Sequence, residues 1–210
     1  MDVLSFSTTV SVAVERGASI IPFPYGDEEA AKAEAAKHGA KLAYPRSTAG
    51  NQLSLSPEAM KKVQPGDRIV LPSPNGSRLS LACADKHALT GCLRNCSAVA
   101  KFARDLAPRG NIGVIAAGER WKDGSLRPAI EDLLGAGAIV DALDGEMSAE
   151  AQVARNAYAS SRPHFDNFIL ESLSGRELIG QGFSEDVGIA LELNVSSRVP
   201  VLQDGSYVGR

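Results

Sequence analysis

Cysteine, histidine and aromatic residues are scarce in this chain of 210 residues, which has three cysteines, three histidines, one tryptophan and an aromatic content of 5%. Cys83, Cys92 and Cys96 form no Cys-x-x-Cys pair, and His38, His87 and His164 are scattered rather than spaced as ligands. Neither a disulfide framework nor a zinc site is expected. Each cysteine reads as a small buried hydrophobe, with Cys96 the one whose place at a helix start could depress its thiol pKa. No apolar run reaches the length that spans a bilayer, and the N-terminus lacks the charged start and apolar middle of a signal peptide. A cytoplasmic location is the expectation. The net charge is only -3, with acids and bases interspersed. That leaves no basic face for a polyanion, so neither nucleic acid nor membrane is an expected partner.

What the chain does have is a hydrophobic content of 44%, enough for one large core or two small ones. Strand-like and helix-like patterns alternate through its first two thirds. Strands are predicted over 19–23, 41–44, 67–71, 87–92 and 111–117, and helices over 27–38, 77–84, 97–106 and 128–143. Asp2 to Leu4, with only Met1 ahead of them, read as the end of a strand running into a helix over 8–16. Such alternation predicts an α/β fold, a layered α/β/α arrangement around a largely parallel sheet. From Ser148 to Leu193 the pattern is helical, with candidate caps at Ser148, Ser174 and Ser184, and short closing strands follow at 200–203 and 207–209. No long linker or internal repeat divides the chain, so one domain is expected over 1–210: an α/β part over 1–147 with a mainly helical part over 148–210 packed on it.

Ligands of such folds collect at the carboxyl ends of strands, where helix starts present unpaired N–H groups. Four corners carry unusual polarity: Asp2 to Thr9, Pro72 to Arg78, Arg94 to Ser97, and Ala117 to Arg127. Serine and asparagine at a helix start are ordinary caps. Arg78, Arg94 and Arg120 are harder to explain that way, because a cation there opposes the helix dipole and a bound anion would remove the conflict. No arginine follows a cysteine in a Cys-x5-Arg loop and Asp2 begins no Asp-x-Asp, so thiol and aspartyl-phosphate routes lack their signatures. Metal-assisted attack by water remains, with Asp2, Glu119, Glu131 and Asp132 as the acids nearest the corners. Glu131 and Asp132 fit a solvated helix face equally well.

The same corners resemble the 2-phosphosulfolactate phosphatase family, Mg2+-dependent enzymes of coenzyme M biosynthesis and their bacterial relatives. The matching segments are DVLSFSTT from Asp2, SPNGSRL from Ser73, NCSAVA from Asn95, AAGE from Ala116, EDLLGAGAIVDAL from Glu131, SGRELIGQGFSEDV from Ser174 and VPVLQDG from Val199. This chain departs from the family in having Ser5 where an arginine is usual, and Tyr44, Pro45 and Arg46 where Gly-Glu-Arg is usual. The resemblance implies hydrolysis of a phosphate ester on a small acid bearing carboxylate and sulfonate groups. It implies Mg2+ on Asp2 and Glu119, with Asp132 as a substitute ligand or the base that orients water. Arg46, Arg78 and Arg120 would hold phosphate or acid groups, while Ser73, Asn75, Gly76, Ser77, Asn95, Ser97 and the amides near Thr8 and Thr9 would line the substrate. Arg176 and Asp186 read as a structural pair. The alternatives are a non-catalytic binding protein for a phosphorylated or sulfonated metabolite, which Ser5 and Pro45 favour, and an assembly role for the helical third. Homodimer formation is left open.

Overall fold

The structure is a computed structural model and describes residues 1–83 and 87–210. In chain order, α1 (Phe6–Glu15), β1 (Ser19–Pro24), α2 (Glu28–His38) and β2 (Lys41–Leu42) precede the short α3 (Arg46–Ala49) and α4 (Pro57–Met60). Next come β3 (Arg68–Ser73), α5 (Gly76–Ala82) and α6 (Cys96–Leu106). A ribbon of β4 (Glu119–Arg120) and β5 (Leu126–Arg127) leads into α7 (Ile130–Ala142) and α8 (Ala149–Ser161). The chain closes with α9 (Phe165–Leu170), α10 (Leu173–Gly180), α11 (Ser184–Leu191), β6 (Pro200–Gln203) and β7 (Ser206–Gly209).

The main sheet has the order β2-β3-β1-β7-β6, with β2, β3 and β1 parallel, β7 antiparallel to β1, and β6 at the edge antiparallel to β7. β1 and β3 are apolar on both faces, as strands covered on both sides must be. Ile20, Ile69 and Leu71 turn toward α1 and α4, where they meet Phe6, Val10, Met60 and Val63. Ile21 and Val70 turn the other way, onto Ala31 and Ala35 of α2. Period-two alternation thus produces the three layers. Asp27 caps α2 by accepting from the Ala30 amide at 2.9 Å, and Gly39 ends it at φ +58°.

A second core joins Val3, Leu93, Val99, Ile139, Tyr158, Ile169, Val187 and Val201, so the helical third shares buried surface with the segments around residue 3 and β6. Gly137 sets how closely α7 and α8 approach. A Cβ there would lie 2.2 Å from the Ala154 carbonyl oxygen and 2.8 Å from Tyr158 Cβ.

Several sequence expectations are corrected. The strands predicted over 87–92 and 111–117 are not formed as strands: Leu89 makes one antiparallel bridge to Val201 at the β6 edge, flanked by the Thr90 amide donating to the Pro200 carbonyl and the Leu202 amide to the Ala88 carbonyl, and 111–117 is irregular. Met1 ties down the latter, its amine donating to the Ile115 oxygen at 2.8 Å and its carbonyl accepting from Ala117 at 2.7 Å. The two segments face one another across a groove of about 330 Å3, and each meets a neighbouring backbone over too few residues to extend a ladder. Ser172, not Ser174, caps α10 by accepting from the Gly175 amide. Ser184 is the first residue of α11 rather than its cap. The end expected at Ala84 for the helix from Ser77 lies outside the described residues.

Replacing Gly137 by Ala should therefore lower stability by roughly 1–3 kcal/mol, since overpacked cores lose about that much. Urea unfolding measures this, and an unchanged midpoint would show that α7 and α8 can separate freely.

Candidate active site

The site grows from the first five residues. They form no strand: Met1 is held by backbone bonds to Ile115 and Ala117, and the amides of Asp2 and Val3 by the side chains of Ser7 and Asp132. Asp132, on the first turn of α7, accepts the Val3 amide at 2.7 Å with Oδ1 and the Gly118 amide at 2.9 Å with Oδ2. One carboxylate thus clamps the start of the chain to the loop before β4. Asp2 has a parallel role one residue earlier. Its Oδ1 accepts the Phe6 amide at the start of α1, and its Oδ2 accepts the Gly76 amide at the start of α5, each at 3.2 Å. Two helix starts therefore point at one carboxylate, and the anion they hold is the chain's own. Gly76 permits this approach, because a Cβ there would sit 2.2 Å from the Phe6 ring.

From the other side, Glu119 Oε1 accepts from Asn75 Nδ2 at 2.8 Å. Arg46 enters from α3, its Nε donating to Asp186 at 2.9 Å and its Nη1 to Ser5 Oγ at 3.0 Å, and its guanidinium lies over the Phe183 ring. Asp2, Ser5, Arg46, Gly118, Glu119, Arg127, Glu131, Asp132, Ser174 and Glu177 line a common cavity of about 140 Å3. Its wall holds five carboxylates (Asp2, Glu119, Glu131, Asp132, Glu177) against two guanidiniums (Arg46, Arg127).

Burial dominates the electrostatics. It pushes the Asp2 carboxyl up to about 6 against the opposing pull of the Phe6 amide. Burial, followed by the charge of Asp2, raises Asp132 well above the usual carboxylate range. The Met1 amine moves the other way, lowered by burial while the charges of Asp132 and Asp2 oppose the shift. Glu131 is 3% exposed, and no hydrogen bond or ion pair joins its side chain to the described residues.

Of the residues singled out in the sequence, Asp2, Arg46, Glu119, Glu131 and Asp132 line this cavity, and Asn75 and Gly76 touch it through Glu119 and Asp2. The others do not reach it with a side chain. Thr8 and Thr9 donate to the carbonyls of Val3 and Ser5, and Ser77 donates to that of Leu71. Ser73 accepts the Gly76 amide. Each of these hydroxyls is used in shaping a corner. Arg78 is exposed, and Arg120 donates to the Gly124 carbonyl within the β4–β5 turn.

The third corner lies elsewhere. Asn95 caps the turn at Cys92 and donates to the Arg198 carbonyl, while the Ser97 amide donates to Asn194. Arg94 needs no ligand to explain it, since it bridges Glu15 and Glu192. Burial raises the Cys96 thiol rather than activating it. Asp186 pairs with Arg46 and Ser56, not with Arg176.

Arg127, Ser174 and Glu177 also line the cavity, although the sequence marks none of them as a site residue and Ser174 only as a candidate cap. Arg127 closes the fourth polar corner, which was a usable signal, whereas nothing in the pattern of α10 marks Ser174 or Glu177 as cavity residues.

Fold and site together define an α/β protein with a buried, acid-rich cavity beside the carboxyl end of its parallel strands. The family model described as 2-phosphosulpholactate phosphatase matches residues 1–205, and the chain belongs to that family. It is similar to the 2-phosphosulfolactate phosphatase of Methanothermobacter thermautotrophicus, at 36% identity over 98% of this chain and 86% of the relative. It is also similar to a probable 2-phosphosulfolactate phosphatase of Thermus thermophilus, at 31% identity over 97% of this chain and 86% of that protein.

The raised Asp2 carboxyl has a consequence for stability. Because its folded pKa of about 6 exceeds the ordinary aspartate value of 3.8, the folded state binds the extra proton. Stability contributed by this group is full below about pH 4 and is lost as pH rises through 6. In chelator, unfolding measured at pH 4.5 and pH 7.5 should show a fall that Asp2→Asn reduces, by at most roughly 3 kcal/mol. An Asp2→Asn protein with the wild-type pH slope would refute the assignment.

Proposed function

We propose that the protein is a Mg2+-dependent phosphatase that hydrolyses 2-phosphosulfolactate to sulfolactate and phosphate. Membership of the family and the names of both relatives support the reaction and substrate. The observation that carries the metal requirement is the excess of carboxylates over guanidiniums around the cavity, three of them buried (Asp2, Glu131 and Asp132), with Glu131 bonded to no side chain or backbone group among the described residues. A strongly anionic substrate would be repelled from such a wall, and a divalent cation reverses the sign of the field.

The donor set fits this ion. Among the described residues, no three histidine, cysteine or acidic side chains gather closely enough to hold a metal. Mg2+ needs fewer, taking one or two carboxylates and completing its shell with phosphate oxygens and water. Asp2 and Glu119 are the residues that would hold it, with Glu131 able to replace either. When bound, the ion neutralises phosphate charge and makes a bound water more acidic.

The protein's own groups do the positioning. The Phe6 and Gly76 amides fix the Asp2 carboxylate, and Asn75 fixes Glu119. Asp132 keeps both oxygens on backbone amides, so its role in this reading is to hold the site together rather than to take a proton from water. Arg46, seated by the buried Asp186, supplies a cation to an oxygen of the substrate. We place the protein in the cytoplasm and read 1–210 as one functional unit.

Phosphate release from 2-phosphosulfolactate tests this reading. Turnover should vanish with chelator and return with Mg2+, and Asp2→Asn should lower it by roughly a hundredfold or more. Turnover insensitive to chelator would overturn the metal requirement. Tight binding without turnover would select a binding protein instead.

A further inference from the structure

The cavity holds a second guanidinium, and its setting is unlike that of Arg46. Arg127 is 6% exposed. Its Nη1 and Nη2 donate to Glu177 Oε1 and Oε2 at 3.1 and 3.0 Å, and Nη2 also donates to Ser174 Oγ at 3.3 Å. Its Cζ lies 5.5 Å from the centre of the Trp121 ring. A guanidinium has five N–H donors, so two of them have no partner among the described residues. Arg46 is tied to Asp186, whose side chain is 3% exposed. The partner of Arg127 is different, because the Glu177 side chain is 48% exposed.

That asymmetry gives the pair a direction. Glu177 has a side chain half in water and can swing outward when an arriving anion takes its place, so that the buried guanidinium is not left unpaired. Arg127 cannot leave, being enclosed by the cavity wall and the tryptophan. An anion entering the cavity competes with a carboxylate that is easily displaced and gains a cation already desolvated and oriented. Guanidinium also suits a weakly hydrated oxyanion beside an aromatic face better than an ammonium would.

We propose that Arg127 is a substrate-holding residue that binds an acid group of the substrate other than its phosphate, and that Glu177 occupies the guanidinium until substrate displaces it. The inference rests on the phosphatase reading for the substrate's three acidic groups. Carboxylate and sulfonate share the chemistry that Arg127 recognises, and analogues lacking one or the other separate them.

The test combines kinetics on 2-phosphosulfolactate, 2-phospholactate and 2-phosphooxyethanesulfonate with calorimetric binding of sulfolactate. Arg127→Lys should raise KM for 2-phosphosulfolactate at least tenfold, and raise it less than threefold for the analogue that lacks the group held by Arg127. Sulfolactate should bind Arg127→Lys at least tenfold more weakly, and Glu177→Gln at least threefold more tightly. Opposite signs in these two variants are what a purely structural ion pair would not produce. Equal KM increases on all three substrates, or weaker sulfolactate binding in both variants, would overturn the proposal. Should Arg127→Lys fail to fold, the sign of the Glu177→Gln change decides alone. Wild-type protein that neither hydrolyses the esters nor binds sulfolactate would sink the phosphatase reading itself. Wild-type turnover with unaltered variants would sink only the role of Arg127.

Discussion

A carboxylate removed from water must be given donors or a proton, and Asp2 and Asp132 are given donors from four separate places in the chain. Phe6, Gly76, Val3 and Gly118 each turn a backbone amide toward one of these two acids. The segments so joined are otherwise unrelated: the first five residues, the start of α1, the corner after β3, and the loop before β4. Each such bond is individually modest, about 1.5–3 kcal/mol where one partner is charged. Together they place α1, α5 and α7 around a single point, and without them only the backbone bonds of Met1 would fasten the first residues to the 115–117 segment.

The same arrangement creates the chemistry. Burial raises the proton affinity of both acids, and a neighbouring like charge adds to it, that of Glu119 at Asp2 and that of Asp2 at Asp132. What stabilises a proton there also favours a cation. The wall opposite is built by α10, which contributes Ser174 and Glu177, so the helical third completes the site as well as packing on the sheet. Arg46 and Arg127 face the cavity from different elements, one anchored on a buried acid and the other on an exposed one. An anionic substrate held between a cation-bearing acid cluster and two such groups would meet charge of the right sign on each side, which a strongly basic protein would achieve with less selectivity.

Much of the fold was legible locally. The apolar runs in β1 and β3, the Ala-rich α2 with its acid start and Gly39 stop, and the closing hairpin all follow from period, caps and turn residues acting over a few positions. The failures have a common cause. Residues 87–92 and 111–117 carry strand-like patterns, yet each pairs over only two or three residues, with β6 and with Met1, and how far a pairing extends is a property of the whole chain. Asn95 and Ser97 looked like Asn75 and Ser77 because helix starts look alike in sequence, whether they face a cavity or, as here, Arg198 and Asn194. Arg94 appeared to want an anion until Glu15 and Glu192, distant in sequence, were seen to supply it.

The sequence by itself determined the α/β class, the family, and the acids from which a site could be made, because composition, periodicity and motif order are carried by neighbouring residues. Only the tertiary structure decided that Asp132 is spent on two amides, that Glu131 is buried rather than solvated, and that Arg127 and Glu177 share the cavity. Those outcomes depend on which side chains lose water and which partners they find when they do, and desolvation is set by elements that meet across the whole length of the chain.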